Sequence, residues 1–94
     1  MYAKKVTIQN QTGLHARPAS AFVAAASKFS STITIRKFDD AGNELNTCPA
    51  KSIVFVLSLA LSKGTTIELV AEGPDEQEAV DALVALVESG FGEA

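Results

Sequence analysis

The segment Thr12–Ser20, TGLHARPAS, contains the residues whose types and spacing could do chemistry. His15 is the only histidine, Arg17 follows two residues later, and Pro18 is suited to the first turn of a helix. Amides in that first turn lack intrahelical acceptors and attract anions, whereas a neutral imidazole can attack phosphorus. The segment therefore predicts a phosphoryl acceptor at His15, with Arg17 and the backbone of Ala16, Arg17 and Pro18 around the phosphate. The simpler interpretation is a polar residue beside a helix cap.

Other reaction types find little support in the residues. No carboxylate neighbours His15 in sequence, no second histidine or cysteine cluster offers a metal site, and no serine lies in a GxSxG motif. We therefore expect no metal and no organic cofactor. Cys48 is the only cysteine; Lys51 nearby could lower the pKa of its thiol, but an inert small residue at a strand end is the simpler interpretation.

The charge distribution is uneven although the formal net charge is only −3. Residues 1–63 contain all eight Lys and Arg with three acids, and residues 64–94 contain eight acids and no base. His15 lies in the basic part, which suits an anionic ligand or an acidic partner. Eight scattered bases with one tyrosine and no tryptophan do not suit nucleic acid binding.

Length and hydropathy favour one domain over residues 1–94, located in the cytoplasm. The longest apolar stretch, Ile53–Leu61, is about half a membrane span, and the N-terminus lacks the apolar region of an export signal. We therefore expect no membrane association, and we expect a monomer.

Hydrophobic periodicity predicts the order β-α-β-β-α-β-α. A first strand carries Val6 and Ile8 and ends near Asn10; a helix over 16–28 has the core positions Ala19, Phe22, Val23 and Ala26. Strands follow at 32–36 and, after a turn at 39–43, at 44–47 with Pro49 ending the pairing. The pattern favours an α+β two-layer sandwich, an antiparallel sheet with three helices on one face.

The second half of the chain continues this pattern. A helix over Lys51–Leu61 is apolar nearly all round, so part of it must be exposed, and Lys63-Gly64 ends it. A fourth strand points Ile67, Leu69 and Ala71 inward. Pro74–Glu78 begins the last helix, with Asp75 as cap and Glu78 completing a capping box, and its core positions are Val80, Leu83, Val84 and Val87.

Four segments together resemble the HPr family, the histidine-containing phosphocarriers of the bacterial phosphotransferase system. They are GLHARPA at 13–19, AKSI at 50–53 followed by SLAL, KGT at 63–65, and AEGPDEQEAV at 71–80. The resemblance spans essentially the whole chain. It implies an open-faced sandwich with strand order 1-4-2-3, phosphorylation of His15 on Nδ1 by phosphorylated enzyme I with help from Arg17, and transfer to the A component of a sugar permease.

The resemblance also implies a docking surface and a regulatory site. The docking residues would be Ala16, Ser20 and Ala24 of the first helix and Val54, Phe55 and Leu57 of the second. Ser52 matches a position that a dedicated serine kinase phosphorylates in many members, although serine is also a favoured helix cap.

Three features depart from the family pattern. The stretch 36–49 is longer than usual, the first helix has Ala24 and Ser27 where many members have lysines, and Phe55 is bulkier than usual. The ending VESGFGE is similar to the nitrogen-related branch. One alternative is therefore a regulatory protein of the same fold, acting through phospho-Ser52, a transcriptional regulator or a nitrogen-related relay. Another is a small phosphatase with a phosphohistidine intermediate.

Overall fold

The computed structural model describes residues 1–92, which build a four-stranded antiparallel sheet with the helices packed on one face. The elements, in chain order, are β1 (Tyr2–Thr7), α1 (Ala16–Ala26), β2 (Thr32–Phe38), β3 (Glu44–Pro49), α2 (Ile53–Ser58), β4 (Thr66–Glu72), α3 (Glu76–Glu88) and a 3₁₀ turn at Gly90–Gly92, called here the GFG turn. The strand order is β1-β4-β2-β3. The predicted fold class, element order and strand order are confirmed.

The core lies between the inner face of the sheet and the helices. Ile35 of β2 pairs opposite Leu69 of β4 on one side and Cys48 of β3 on the other, and all three side chains are buried. Strand alternation therefore directs one residue in two toward the helices. The helices contribute the buried side chains Ala19, Phe22, Ala26, Val80, Leu83 and Val87, while Val23 and Val84 are half-buried at the margin.

Several predicted element boundaries are wrong. α2 begins at Ile53 rather than Lys51 and ends at Ser58 rather than Leu61, because Ala60 adopts a left-handed conformation, with φ +52°, before the predicted stop at Lys63-Gly64. α1 ends at Ala26 instead of Lys28.

The strand boundaries also differ from the predictions. β1 ends at Thr7, not near Asn10, and β2 continues to Phe38 instead of ending at Arg36. β3 extends through Pro49, which pairs with Thr34. β3 is an edge strand, where a proline is tolerated because no further strand needs its missing N–H.

The predicted capping box at the start of α3 does not form. Asp75 occupies the cap position but makes no side-chain cap bond. Its carboxylate instead accepts hydrogen bonds from the amides of Ser30 at 2.8 Å and Ser31 at 2.9 Å, and from the Ser31 hydroxyl at 2.5 Å. Glu76, rather than Glu78, reaches back to the amide of Gly73 at 3.2 Å. The first turn of α3 is therefore tied to the loop that leads into β2.

Candidate functional site

His15 occupies the cap position of α1 with extended backbone angles, φ −136° and ψ 146°, and its side chain is exposed. The imidazole makes no cap hydrogen bond. Within residues 1–92 the structure gives it no hydrogen bond or ion pair at all, so no carboxylate orients it. His15 therefore lies at the helix cap, as the simpler interpretation has it, but makes no side-chain cap bond there, and both ring nitrogens are available to a partner.

The loop before His15 is held by close contacts with the segment after α2. The Leu14 amide donates to the Leu61 carbonyl at 2.7 Å, and the Leu14 side chain is buried. Gly13 has φ +64°, and a Cβ there would lie 2.2 Å from the Leu61 carbonyl oxygen, so only glycine fits. Asn10 adds a bond from its Nδ2 to the Gly13 carbonyl at 2.8 Å. These contacts fix the position of the backbone just before His15.

A shallow depression of about 190 Å³ lies beside the imidazole. Its lining residues are Thr12, Leu14, His15, Ala60, Leu61 and Ser62. A water molecule occupies about 30 Å³ in the liquid, so the depression can hold a group larger than water. The left-handed turn at Ala60 forms part of its wall, which connects the early end of α2 to the shape of the site.

Backbone amides at the start of α1 can contact an anion next to His15. Ala16 has φ +45°, a conformation that residues with a Cβ rarely adopt, and the first turn contains no acidic residue. The amides of Ala16 and Arg17 precede any possible intrahelical acceptor. Pro18 has no N–H and so cannot donate; of the three backbone positions predicted around the phosphate, only Ala16 and Arg17 carry a donor.

Arg17 is exposed and does not share the depression beside His15. It lines a second cavity of about 340 Å³ together with Pro18, Ala21, Phe91 and Gly92. Over the described range 1–92, its guanidinium has no hydrogen bond or ion pair. The two predicted site residues are therefore only two positions apart in sequence but line separate cavities, and no polar bond within residues 1–92 restrains the arginine.

The predicted docking residues are all exposed. Ala16, Ser20 and Ala24 are exposed on α1, which packs against α2. On α2, Val54 is 70% exposed, Phe55 54% and Leu57 39%, whereas Val56 is buried. Sequence reasoning missed Ile53, which is 36% exposed on the same helix, although its place in the apolar run was a usable signal.

A comparison with known protein families shows which family this chain belongs to. The model of the family described as "PTS HPr component phosphorylation site" matches residues 2–89. The chain belongs to the HPr family. Its similarity to the HPr-like protein Crh and to the phosphocarrier protein HPr extends over nearly all of this chain and nearly all of those relatives.

Three HPr-family relatives illustrate this similarity. The HPr-like protein Crh of Halalkalibacterium halodurans is 48% identical over 88 residues, 94% of this chain and 98% of the relative. The phosphocarrier protein HPr of Haemophilus influenzae is 44% identical over 87 residues, 93% and 95% of the two chains. The crystal structure of HPr-C-His from Thermoanaerobacter tengcongensis superposes with a TM-score of 0.89 at 49% identity, covering 100% and 99%. A second crystal structure from that organism, of an HPr dimer, superposes with a TM-score of 0.67 at 49% identity and covers 99% of this chain and 100% of the other.

Ser52, the predicted regulatory residue, lies at the cap position of α2 and is half-buried. Its side chain makes no cap bond, so its position agrees with a capping serine but its hydrogen bonding does not. The Lys51 ammonium next to it donates to the Phe29 carbonyl at 2.6 Å, just beyond the end of α1. At the other end of α2, the Lys37 ammonium donates to the Leu59 carbonyl at 2.8 Å. Two lysines thus tether a helix that has one buried side chain.

Cys48 is buried in the core under β3. Burial raises the pKa of its thiol to about 11, because the thiolate would lose its hydration. A thiol with so high a pKa is a poor nucleophile near neutral pH, which agrees with the interpretation of Cys48 as an inert packing residue.

The described part of the chain offers neither a cluster of metal-ligating side chains nor a helix that could span a membrane. Between residues 1 and 92, no three His, Cys, Asp or Glu side chains are grouped so that they could hold a metal ion. None of the helices described there combines the length and the apolar character needed to cross a membrane.

Proposed function

We propose that this HPr-family protein is a cytoplasmic phosphocarrier that accepts a phosphoryl group on His15 from phosphorylated enzyme I and passes it to the A component of a sugar permease. One observation carries the proposal: the imidazole of His15 is exposed and unbonded at the start of an 11-residue helix, beside the amides of Ala16 and Arg17. The Haemophilus relative, whose name is phosphocarrier protein HPr, supports it.

In the proposed reaction, Nδ1 of neutral His15 attacks the phosphorus atom of the phosphorylated donor. The new N–P bond forms as the bond from phosphorus to the donor breaks, and the donor leaves with that electron pair. The other ring nitrogen keeps its proton, so no general base is needed. The amides of Ala16 and Arg17 and the Arg17 guanidinium would stabilise the phosphoryl oxygens. The protein acts as substrate and then donor, not as a catalyst.

Transfer requires that two different partners approach the same imidazole in turn. The exposed side chains of α1 and α2 would form the docking surface for both, since a small apolar patch beside an anionic group suits short-lived complexes. We propose that the protein works as a monomer, since each partner needs the surface around His15. Light scattering before and after phosphorylation tests this, and a stable dimer in both states would contradict it.

The carrier function is tested with purified enzyme I and phosphoenolpyruvate. We expect one acid-labile phosphoryl group per chain, and ³¹P NMR of the product reports which ring nitrogen carries it. His15→Ala should abolish the adduct, whereas the matched control Ser52→Ala should retain it. An acid-labile adduct that survives in His15→Ala would refute the assignment of His15, and steady hydrolysis of a phosphomonoester by the isolated protein would favour a phosphatase.

A regulatory role is the second candidate, favoured by the Ser52 hydroxyl that makes no cap bond and by the similarity to the HPr-like protein Crh. A serine kinase would phosphorylate Ser52, and the phosphoprotein would act on a transcriptional regulator; a nitrogen-related relay through His15 is the other form. A phosphate at Ser52 would lie beside exposed Val54 and Phe55 and disfavour apolar docking. An acid-stable adduct lost in Ser52→Ala, with no adduct formed by enzyme I, would support this role over the carrier.

A further inference from the structure

The GFG turn after α3 has an unusual backbone. Gly90, Phe91 and Gly92 have φ values of +68°, +56° and +78°, three left-handed residues in succession. Glycine adopts such angles readily, but an aromatic residue rarely does. Phe91 is nevertheless held there with its ring half-buried against the core. A strained conformation persists only where surrounding contacts determine it, so the position of this ring is specified by the fold.

The GFG turn lies near chain segments that precede and follow His15 in the sequence. Phe91 and Gly92 line the 340 Å³ cavity with Arg17, Pro18 and Ala21 of α1, which follow His15. Gly90 is buried, and a Cβ at this position would lie 4.0 Å from the Cβ of Asn10, which precedes His15. Asn10 in turn holds the Gly13 carbonyl two residues before His15.

Arg17 depends on packing for its position, because within residues 1–92 no polar group bonds its guanidinium. Phe91 is the only aromatic side chain among the residues that line its cavity. A wall on one side of a long side chain removes rotamers that point in that direction, so fewer orientations compete with those that reach a phosphoryl group on His15.

We infer that Phe91 is a positioning residue for phosphoryl transfer: it acts through Arg17 by forming the wall that confines the guanidinium near the first turn of α1. The inference rests on the proposed carrier function. Because Phe91 lies on neither α1 nor α2, its loss should slow the transfer step and leave docking of enzyme I unchanged.

The test measures initial rates of phosphorylation by enzyme I and phosphoenolpyruvate over a range of concentrations of this protein. Phe91→Asn removes the ring but suits the turn, since asparagine tolerates positive φ. We expect kcat to fall about tenfold with KM unchanged. Phe91→Tyr keeps the ring and should restore the wild-type kcat. The Arg17 Nε–H resonance in NMR should shift in the asparagine variant and not in the tyrosine variant.

Phe29→Ala is the matched control, because it removes another half-buried ring from the same core and does not line the Arg17 cavity. It should leave kcat unchanged at a comparable loss of thermal stability. The inference is overturned if Phe91→Asn transfers at the wild-type rate, if its defect is entirely in KM, or if Phe29→Ala lowers kcat equally. Should Phe91→Asn not fold, an unshifted Arg17 resonance in Phe91→Leu overturns it. Failure of the wild-type protein to be phosphorylated would instead refute the proposed function.

Discussion

The starts of α1 and α3 show opposite uses of a polar residue at a helix cap. His15 and Asp75 both occupy cap positions, and neither makes a side-chain cap bond. Asp75 is fully engaged by Ser30 and Ser31, and those bonds hold its pKa below the usual value, the Ser31 hydroxyl contributing most. His15 has no such partner among the described residues. One helix start is held by side-chain hydrogen bonds to a neighbouring loop, and the other leaves its side chain exposed.

The difference extends to the surrounding backbone. Near the imidazole, the main chain is strained at Ala16 and Ala60, which have positive φ despite their Cβ atoms, whereas Gly13 adopts its positive φ without strain. At α3, the cost lies in burial of polar groups, since Ser31 is 1% exposed and needs the Asp75 carboxylate. Main-chain contacts therefore fix the backbone around His15, whereas its imidazole makes no hydrogen bond within residues 1–92.

The strongest test of this contrast is Gly13→Ala. The new Cβ would meet the Leu61 carbonyl oxygen at 2.2 Å at a φ of +64°. Clash and strain together should reduce the free energy of unfolding by about 3 kcal/mol or more, measured by urea denaturation. Gly42→Ala is the control, since its φ is +87° but nothing lies within 4 Å, and it should cost about 1 kcal/mol. Equal losses would mean that the contact with Leu61 does not fix the His15 loop.

At the other helix start, Ser31→Ala removes the hydroxyl that bonds Asp75. The loss should lower the free energy of unfolding by about 1 to 3 kcal/mol, because Ser31 is buried and its hydrogen bond is charge-assisted. Ser30→Ala should have little effect, since Ser30 uses only its backbone amide. Phosphorylation of His15 should be unchanged in both variants. A transfer defect in Ser31→Ala would show that the two helix starts are coupled rather than independent.

Ala60→Gly tests the strain near His15 from the other side, because this variant should gain stability rather than lose it. Ala60 has φ +52°, where glycine avoids strain, although glycine also loses more entropy on folding. We expect a net gain of about 0.5 to 1 kcal/mol in the free energy of unfolding. Ala24→Gly, in the exposed face of α1, should instead destabilise the protein by about 1 kcal/mol. A loss in both variants would contradict the strain assigned to Ala60.

Acid titration provides the smallest effect. The folded pKa of Asp75 is lowered, so its stabilisation is present above the ordinary aspartate pKa and is lost as the pH falls through the folded pKa. The stability difference between wild type and Ser31→Ala should therefore shrink below about pH 4. Urea denaturation from neutral pH to about pH 2 measures it. A stability difference that stays constant over this range would show that the contribution of the Ser31 hydroxyl does not depend on the charge of Asp75.

Sequence patterns predicted the fold because the buried positions repeat with the right period. The spacing of Ile33 and Ile35 identifies the buried face of a strand, and that of Val80 and Leu83 the buried face of a helix, without any knowledge of the elements packed against them. The errors fall where the deciding contact is distant or locally invisible. Asp75 has the local signature of a cap, and its real partner lies 44 residues away at Ser31. Ala60 ends α2, although alanine is the best helix former.

The site was predictable to a similar degree. His15 at a helix start follows from Gly13, Pro18 and the apolar pattern of α1 alone. Arg17 lines a different cavity from the His15 depression, and it shares that cavity with Phe91. This could not be predicted from the sequence pattern, because Phe91 is far from Arg17 along the chain. The exposed faces of Val54, Phe55 and Leu57 could be anticipated because a short helix cannot bury apolar residues on every side.

The two lysine bonds at the ends of α2 have a consequence for variation of its surface. Lys51 and Lys37 each grip a main-chain carbonyl, one at Phe29 and one at Leu59, and carbonyls are present whatever the side chains are. Val56 is the one buried side chain of α2, so its exposed residues can be substituted while the helix keeps its position in the fold. Point substitutions on the exposed side of α2 can therefore change the surface that the helix offers to other proteins without changing the packing beneath it.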